Sequence, residues 1–262
     1  MTTGGVSVAE LKAAPASIAT LVIGDSIDTA ADSLAQRTGL PDYRFAHLMS
    51  VDALDRWFSV LSAISRQAVP GKWQKHRQQL LDAMLDTHFV IGTARLAMAA
   101  DTDLLIGFEA MLNSMGAELV AAVIPAKAKA AKNLRIASVQ IGDMEDLEAL
   151  SKASNAQLII GNSHAADSAK RLNLPMLRAG FPQYDYFGGF QRVWCGYQGI
   201  RNTLFEMANL LCAHHAEIPV YHSVYSQKSS ESGDTARAVK ADSPQKSDDA
   251  QEKESAGPYA YG

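Results

Sequence analysis

From residue 95 onward, short apolar runs alternate with amphipathic stretches of helical length, and that alternation constrains the fold more than any other feature. Residues 95–99, 119–123, 136–141, 158–160 and 176–177 read as strands. Between them, residues 101–115 carry Leu104, Leu105, Phe108, Met111, Leu112 and Met115 at helical spacing, and Gly116 stops the run. Asp143 opens a second helix with an acidic first turn, residues 165–172 form a third, and residues 197–214 carry Ile200, Leu204, Met207 and Leu211 along one face. Strands separated by helices in this order demand right-handed crossovers and a parallel sheet covered on both faces. The expected fold class is therefore α/β, a doubly wound parallel sheet.

The first part of the chain supplies too few strands for a domain of its own. Residues 21–24 read as a strand, residues 25–38 as a helix ended by Gly39, and Ser50 caps a helix with Val51, Leu54, Phe58 and Leu61 on one face. After the break at Val69, Pro70 and Gly71, a helix over residues 73–86 is expected to turn Leu80, Leu81, Met84 and Leu85 inward. The organisation read here is a partial α/β unit over 1–72, the trailing half of a second domain, and the doubly wound domain over 73–226. A disordered tail is read over 227–262, where seven acidic and five basic residues leave almost no large aliphatics to bury.

Composition narrows the function. At 262 residues and 47 % hydrophobic the chain can build a sizeable core, and a net charge of −4 speaks against nucleic acid as a partner. No apolar run approaches the length of a membrane span, and no basic segment followed by an apolar run opens the chain, so neither a membrane nor a secretory route is expected. Two cysteines, Cys195 and Cys212, without a Cys-x-x-Cys pair, fit a reducing cytoplasm and no metal or cluster site built by this chain alone.

In such a sheet, ligands and partners meet the loops at the carboxyl ends of the strands. Four loops qualify: 24–26, 100–102, 161–164 and 178–199. In the third, backbone donors and a helix start can hold a polar group, with His164 as a proton donor or ligand; alternatively Asn162 or Ser163 simply caps the helix. The fourth, RAGFPQYDYFGGFQRVWCGYQG, is dense in aromatics and glycines with Asp185 and Arg192 as its acidic and inner basic groups, and such aromatics bury against a cofactor, another subunit or the protein's own core. Cys195, between Trp194 and Gly196, is expected to be a buried apolar residue rather than a metal thiolate. His214, His215 and His222 are open to a metal reading or to a purely electrostatic one at a helix end. No Gly-x-Gly-x-x-Gly fingerprint, Ser–His–Asp order or His-Glu-x-x-His motif is present.

Read together, LIIGNSH at 158–164, RAGFPQYD at 178–185, GYQG at 196–199 and LFEMANLL at 204–211 resemble the C-terminal domain of the nitrogenase component 1 superfamily. Within it, LLDAMLD at 80–86 with His88, and IGDMEDLE at 141–148, are most similar to the branch that assembles the cofactor. The resemblance runs from about residue 3 to 215. It implies three doubly wound domains per subunit, a NifE-like partner in a two-plus-two heterotetramer, and cofactor-donor and cofactor-acceptor proteins of nitrogenase assembly. It further implies an iron–sulfur cluster and an iron–molybdenum cofactor precursor held by the full complex, through residues outside this chain. Under that reading the chain builds scaffold and interface rather than catalysing. Its interface or loop residues are Asn162, Ser163, His164, Phe181, Pro182, Asp185, Arg192, Tyr197 and Gly199. A reductase subunit of the same superfamily and a stand-alone small-molecule module are the alternatives; the second subunit of nitrogenase tends to Tyr where this chain has His164. Two departures stand out. The chain starts inside what resembles the second domain, and Tyr186 follows Asp185 where the family tends to Arg, so that Arg's role does not carry over.

Overall fold

The computed structural model describes residues 5–136 and 139–214. The tail expected over 227–262, together with His215 and His222, lies outside them.

Five parallel strands form the main sheet. They are β3 (Arg95–Ala99), β4 (Glu118–Ile124), β5 (Val139–Ile141), β6 (Leu158–Gly161) and β7 (Met176–Arg178), in the spatial order β5-β4-β3-β6-β7. The alternation that the sequence shows is thus a doubly wound sheet whose direction of growth reverses between β3 and β6. β5 is shorter than expected, beginning at Val139, with residues 137–138 outside the described set.

Period-two alternation divides the core. Leu96 and Met98 of β3, with Leu158 and Ile160 of β6, point to one face, where helices α4 (Gly71–Ile91), α5 (Thr102–Met115) and α8 (Gly196–His214) bury Leu80, Leu105, Phe108 and Leu204 against them. Ala97, Ala99 and Ile159 point to the other face, covered by α6 (Met144–Ala153) and α7 (Ala165–Leu172) through Leu147, Ala165 and Ala169. Helix starts follow the capping residues. Asp101 accepts from the Leu104 amide at 3.0 Å, and Asp143 and Asp146 form a reciprocal capping box on α6. Gly116 closes α5 at φ +80°, a conformation that a side chain would strain.

α4 runs five residues past its expected end, and this corrects its inner face. Leu80, Ala83, Thr87 and Ile91 are buried, whereas Leu81 and Leu85 face outward, Leu85 being 74 % exposed.

Ahead of this unit lie α1 (Val8–Ala13), β1 (Thr20–Ile23), α2 (Asp28–Thr38), β2 (Asp42–Phe45) and α3 (Val51–Ser65), the last capped by Ser50 as expected. β1 and β2 form a separate two-stranded parallel sheet. β2 has no apolar run to mark it. Its Arg44 instead gathers Asp42, Asp28 and Asp32 at 2.7, 3.2 and 2.6 Å. The two sheets meet at their carboxyl ends. Ser26, just past β1, donates through its amide and hydroxyl to Asp103 in the first turn of α5. Leu48, just past β2, accepts from the Gly196 amide at the start of α8 (3.1 Å). No helix among the described residues is long and apolar enough to cross a membrane.

Candidate functional site

The loops at the carboxyl ends of β6 and β7 lock together. The Asn162 side chain donates to the Phe181 carbonyl (2.8 Å) and accepts from the His164 amide (3.0 Å). The Ser163 amide donates to the Pro182 carbonyl, and its hydroxyl donates to the Asp185 carboxylate while accepting from the Tyr184 amide at 2.9 Å. Arg178 holds the same carboxylate through Nη2 at 2.7 Å and Nε at 3.2 Å. The guanidinium first, and the Ser163 hydroxyl second, draw the Asp185 pKa down to about 2. Asn162, Ser163, Pro182 and Asp185 therefore form one polar knot, and Arg178 belongs to it. Its place in the sequence, seven residues before Asp185 on the end of a strand, was the available signal.

The cap expected from Asn162 or Ser163 takes a different form. The residue in the cap position of α7 is His164, whose side chain makes no capping bond, because Ser163 is turned to Asp185 and Asn162 closes a turn onto the His164 amide. His164 meets the Tyr184 ring edge-on at 5.7 Å.

A second group gathers at the start of α8. Tyr197 is buried, stacks on Phe58 (5.6 Å) and donates to Asp55 at 2.7 Å; Arg77 grips the same carboxylate at 2.8 to 3.0 Å. Burial, reinforced by the Asp55 hydrogen bond, raises the Tyr197 phenol above its ordinary value. Burial pushes the Asp55 carboxyl up as well, but the hydrogen bonds from Arg77 and Tyr197 outweigh it and leave the carboxyl below its usual range. Nothing in the sequence links Asp55 to Arg77 and Tyr197, since α3, α4 and α8 meet only in the fold. Gly199 is required by packing: a Cβ there would lie 2.6 Å from the Val193 carbonyl. Arg192 pairs with Glu206 and lies over Trp194 at 4.8 Å.

Between these groups, residues 181–193 turn their aromatics outward. Trp194 packs on Phe108 and Tyr197 enters the core, but Phe181, Tyr184, Tyr186, Phe187 and Phe190 are exposed, Phe187 completely and Phe181 to 73 %. Cys195 is also exposed, which corrects the expectation of a buried thiol. The segment 192–196 alternates inward Arg192 and Trp194 with outward Val193 and Cys195, as extended backbone does.

Two cavities open on this rim. One, of ≈ 230 Å³, sits where the sheet reverses, lined by Ala99, Asp101, Gly142, Asn162, Gly180 and Phe181. That is below the range of about 300–1,000 Å³ usual for small-molecule sites. The other, of ≈ 520 Å³, lies beside Trp73, Arg192, Cys195 and Gln198. An iron–sulfur cluster needs several thiolates. Cys195 and Cys212 are single exposed thiols at opposite ends of α8, and among the described residues no group of three or more His, Cys, Asp or Glu side chains is arranged to hold a metal, His214 included. The residues present do not fit a cluster.

A family model described as nitrogenase component 1 type oxidoreductase matches residues 1–212. Curated relatives described as nitrogenase iron-molybdenum cofactor biosynthesis protein NifN include one from Bradyrhizobium diazoefficiens, 38 % identical over 82 % of this chain and 46 % of its own length. One from Klebsiella pneumoniae is 37 % identical over 92 % of this chain and 52 % of its own, and one from a Nostoc strain 39 % identical over 80 % and 47 %. The chain spans about half the length of the curated relatives it matches. A solved structure described as nitrogenase Cp1 at pH 6.5 shares the fold with a TM-score of 0.76, at 23 % identity over 86 % of this chain and 54 % of that one.

Proposed function

The chain belongs to the nitrogenase component 1 type oxidoreductase family, and on that premise we propose that it is the C-terminal portion of a NifN-type subunit that builds the scaffold for iron–molybdenum cofactor assembly. In this reading residues 1–72 are the trailing half of a second domain, the partner is a NifE-like subunit in a heterotetramer, and the complex works in a reducing cytoplasm. The iron–sulfur cluster and the cofactor precursor are cargo of the whole complex, handed on between donor and acceptor proteins.

One observation carries the reading: four polar side chains at the heart of the rim are spent on one another. Asn162, Ser163, Arg178 and Asp185 satisfy themselves within the chain and hold outward a set of aromatics rather than ligands. A rigid apolar surface held by internal hydrogen bonds suits protein docking, where buried aromatics dominate the binding energy. Asn162, Ser163, Pro182 and Asp185 act as its frame, Phe181 as its face, and His164, Arg192, Tyr197 and Gly199 as its flanks.

The test is co-purification of this chain with a NifE-like subunit, with and without the portion of a NifN relative that this chain does not match, followed by iron analysis. Stoichiometric recovery with iron bound only in the three-component complex supports the scaffold. A full complement of iron on this chain alone would sink it. The family's oxidoreductase members favour a reductase subunit as a second reading, which acetylene reduction by the assembled complex would reveal.

A further inference from the structure

The cavity of ≈ 520 Å³ beside Trp73 and Arg192 falls within the range of about 300–1,000 Å³ usual for small-molecule sites, and the proposed scaffold role does not use it. Two of the chain's three tryptophans, Trp73 and Trp194, line it, with Val193 between apolar and open. Indole walls favour a flat apolar body, which they meet by offset or edge-on contact. The polar part of the lining centres on Arg192. Its Nη2 pairs with Glu206 and its guanidinium lies over the Trp194 ring, but Nη1 is buried without a hydrogen-bond partner among the described residues. A buried charged donor left unbonded is costly, and an acceptor brought by a ligand recovers that cost. Burial also pulls the guanidinium down from its ordinary value, which negative charge at that nitrogen would oppose.

The rest of the lining agrees. Thr203 donates to the Gly199 carbonyl, Tyr197 to Asp55, and the Gln198 amide meets His76, so these groups are already engaged. Among the described residues that line the cavity there is no Asp or Glu; Asp55 and Glu206, bonded to Tyr197 and Arg192, stand outside the lining. Lys72, over the Trp73 ring at 4.7 Å, adds positive charge nearby. Because Glu206 already offsets Arg192, a single negative charge suits the site better than a dianionic phosphate. We infer that this cavity binds a small monocarboxylate carried on a flat apolar body, the carboxylate accepting from Arg192 Nη1 and the body lying against Trp73 and Trp194. The inference stands apart from the docking role of the neighbouring aromatics.

Cys195, exposed and part of the lining, is a built-in reporter, and Cys212 an internal control some 25 Å away along α8 at about 1.5 Å per residue. The whole chain is treated with iodoacetamide in the presence of phenylacetate, phenylacetamide or acetate, and alkylation of each thiol is timed. Quenching of tryptophan fluorescence gives the dissociation constant of phenylacetate, expected on the order of 1 mM for so few heavy atoms. At about ten times that constant, mass action should slow Cys195 about tenfold and leave Cys212 unchanged. Phenylacetamide, without the charge, should bind about tenfold more weakly or worse, and acetate, without the ring, should not protect. Arg192→Gln combined with Glu206→Gln should bring phenylacetate down to the level of the amide. Equal protection by acid and amide, or by acetate, overturns the assignment of the ligand, and so does protection that survives in the double variant. No protection by phenylacetate at about 10 mM, or equal slowing of both thiols, overturns the site itself. Should the double variant fail to fold, the comparison of acid with amide on the unaltered chain decides.

Discussion

The β1–β2 sheet and the five-stranded sheet are written in the same code, parallel strands alternating with helices, yet they are finished to different degrees. In β3, Leu96, Ala97 and Met98 are fully buried, held between α5 and α8 on one side and α6 on the other. In β1 only Val22, and in β2 only Phe45, is buried, and Ile23 stands half in solvent. The contrast separates what local pairing gives from what covering both faces gives. Strand register is defined in both sheets, but only the larger one removes its apolar surface from water.

The largest test of that contrast is a matched pair of truncations. Phe108→Ala, deep between α5 and the sheet, should cost about 3–5 kcal/mol in urea unfolding, whereas Val22→Ala should cost about 1–2 kcal/mol. Equal costs would mean that the two sheets unfold as one body and the contrast is only cosmetic. A smaller effect concerns the rim between them. The folded pKa of Asp185, about 2, lies below its ordinary 3.8, so its contribution is complete above the ordinary value and is lost as pH falls toward 2. Protection of the 181–185 amides, relative to their intrinsic exchange at each pH, should fall in that window, and Asp185→Asn should remove that fall and cost about 1 kcal/mol at neutral pH. A rim that exchanges identically in both proteins would show that the knot is not what holds it. The smallest effect is expected outside both regions: Phe89→Ser, on the exposed face of α4, should shift stability by less than about 0.5 kcal/mol.

How much of this was readable beforehand follows the same divide. β3, β4 and β6 are continuous apolar runs, because both of their faces are buried, and Ser50, Asp101 and Gly116 mark helix ends by local chemistry alone. β2 was invisible because its ladder is flanked by the charged side chains of Asp42 and Arg44, whose partners Asp28 and Asp32 lie on α2. In α4 the conspicuous LLDAMLD run suggested an inner face containing Leu81 and Leu85, but the true stripe passes through Thr87 to Ile91, and a helix read as ending at 86 cannot show it. The bonds that tie Asn162 and Ser163 to Phe181, Tyr184 and Asp185 span 19 to 22 positions, so the motif could be recognised while those hydrogen bonds could not. Cys195 was misplaced because apolar neighbours say nothing about the side of an extended segment on which a thiol falls.

The hydrogen bond from Gly196 to Leu48 bears on the order of assembly. Its two ends are distant along the chain, and so are Ser26 and Asp103, so the small sheet cannot use these anchors until α5 and α8 have already formed. Nucleation is therefore expected in the larger domain, with the first fifty residues joining last and opening first, an order that pulsed hydrogen exchange would check. A protease or a chaperone meeting a partly made molecule would find that end open.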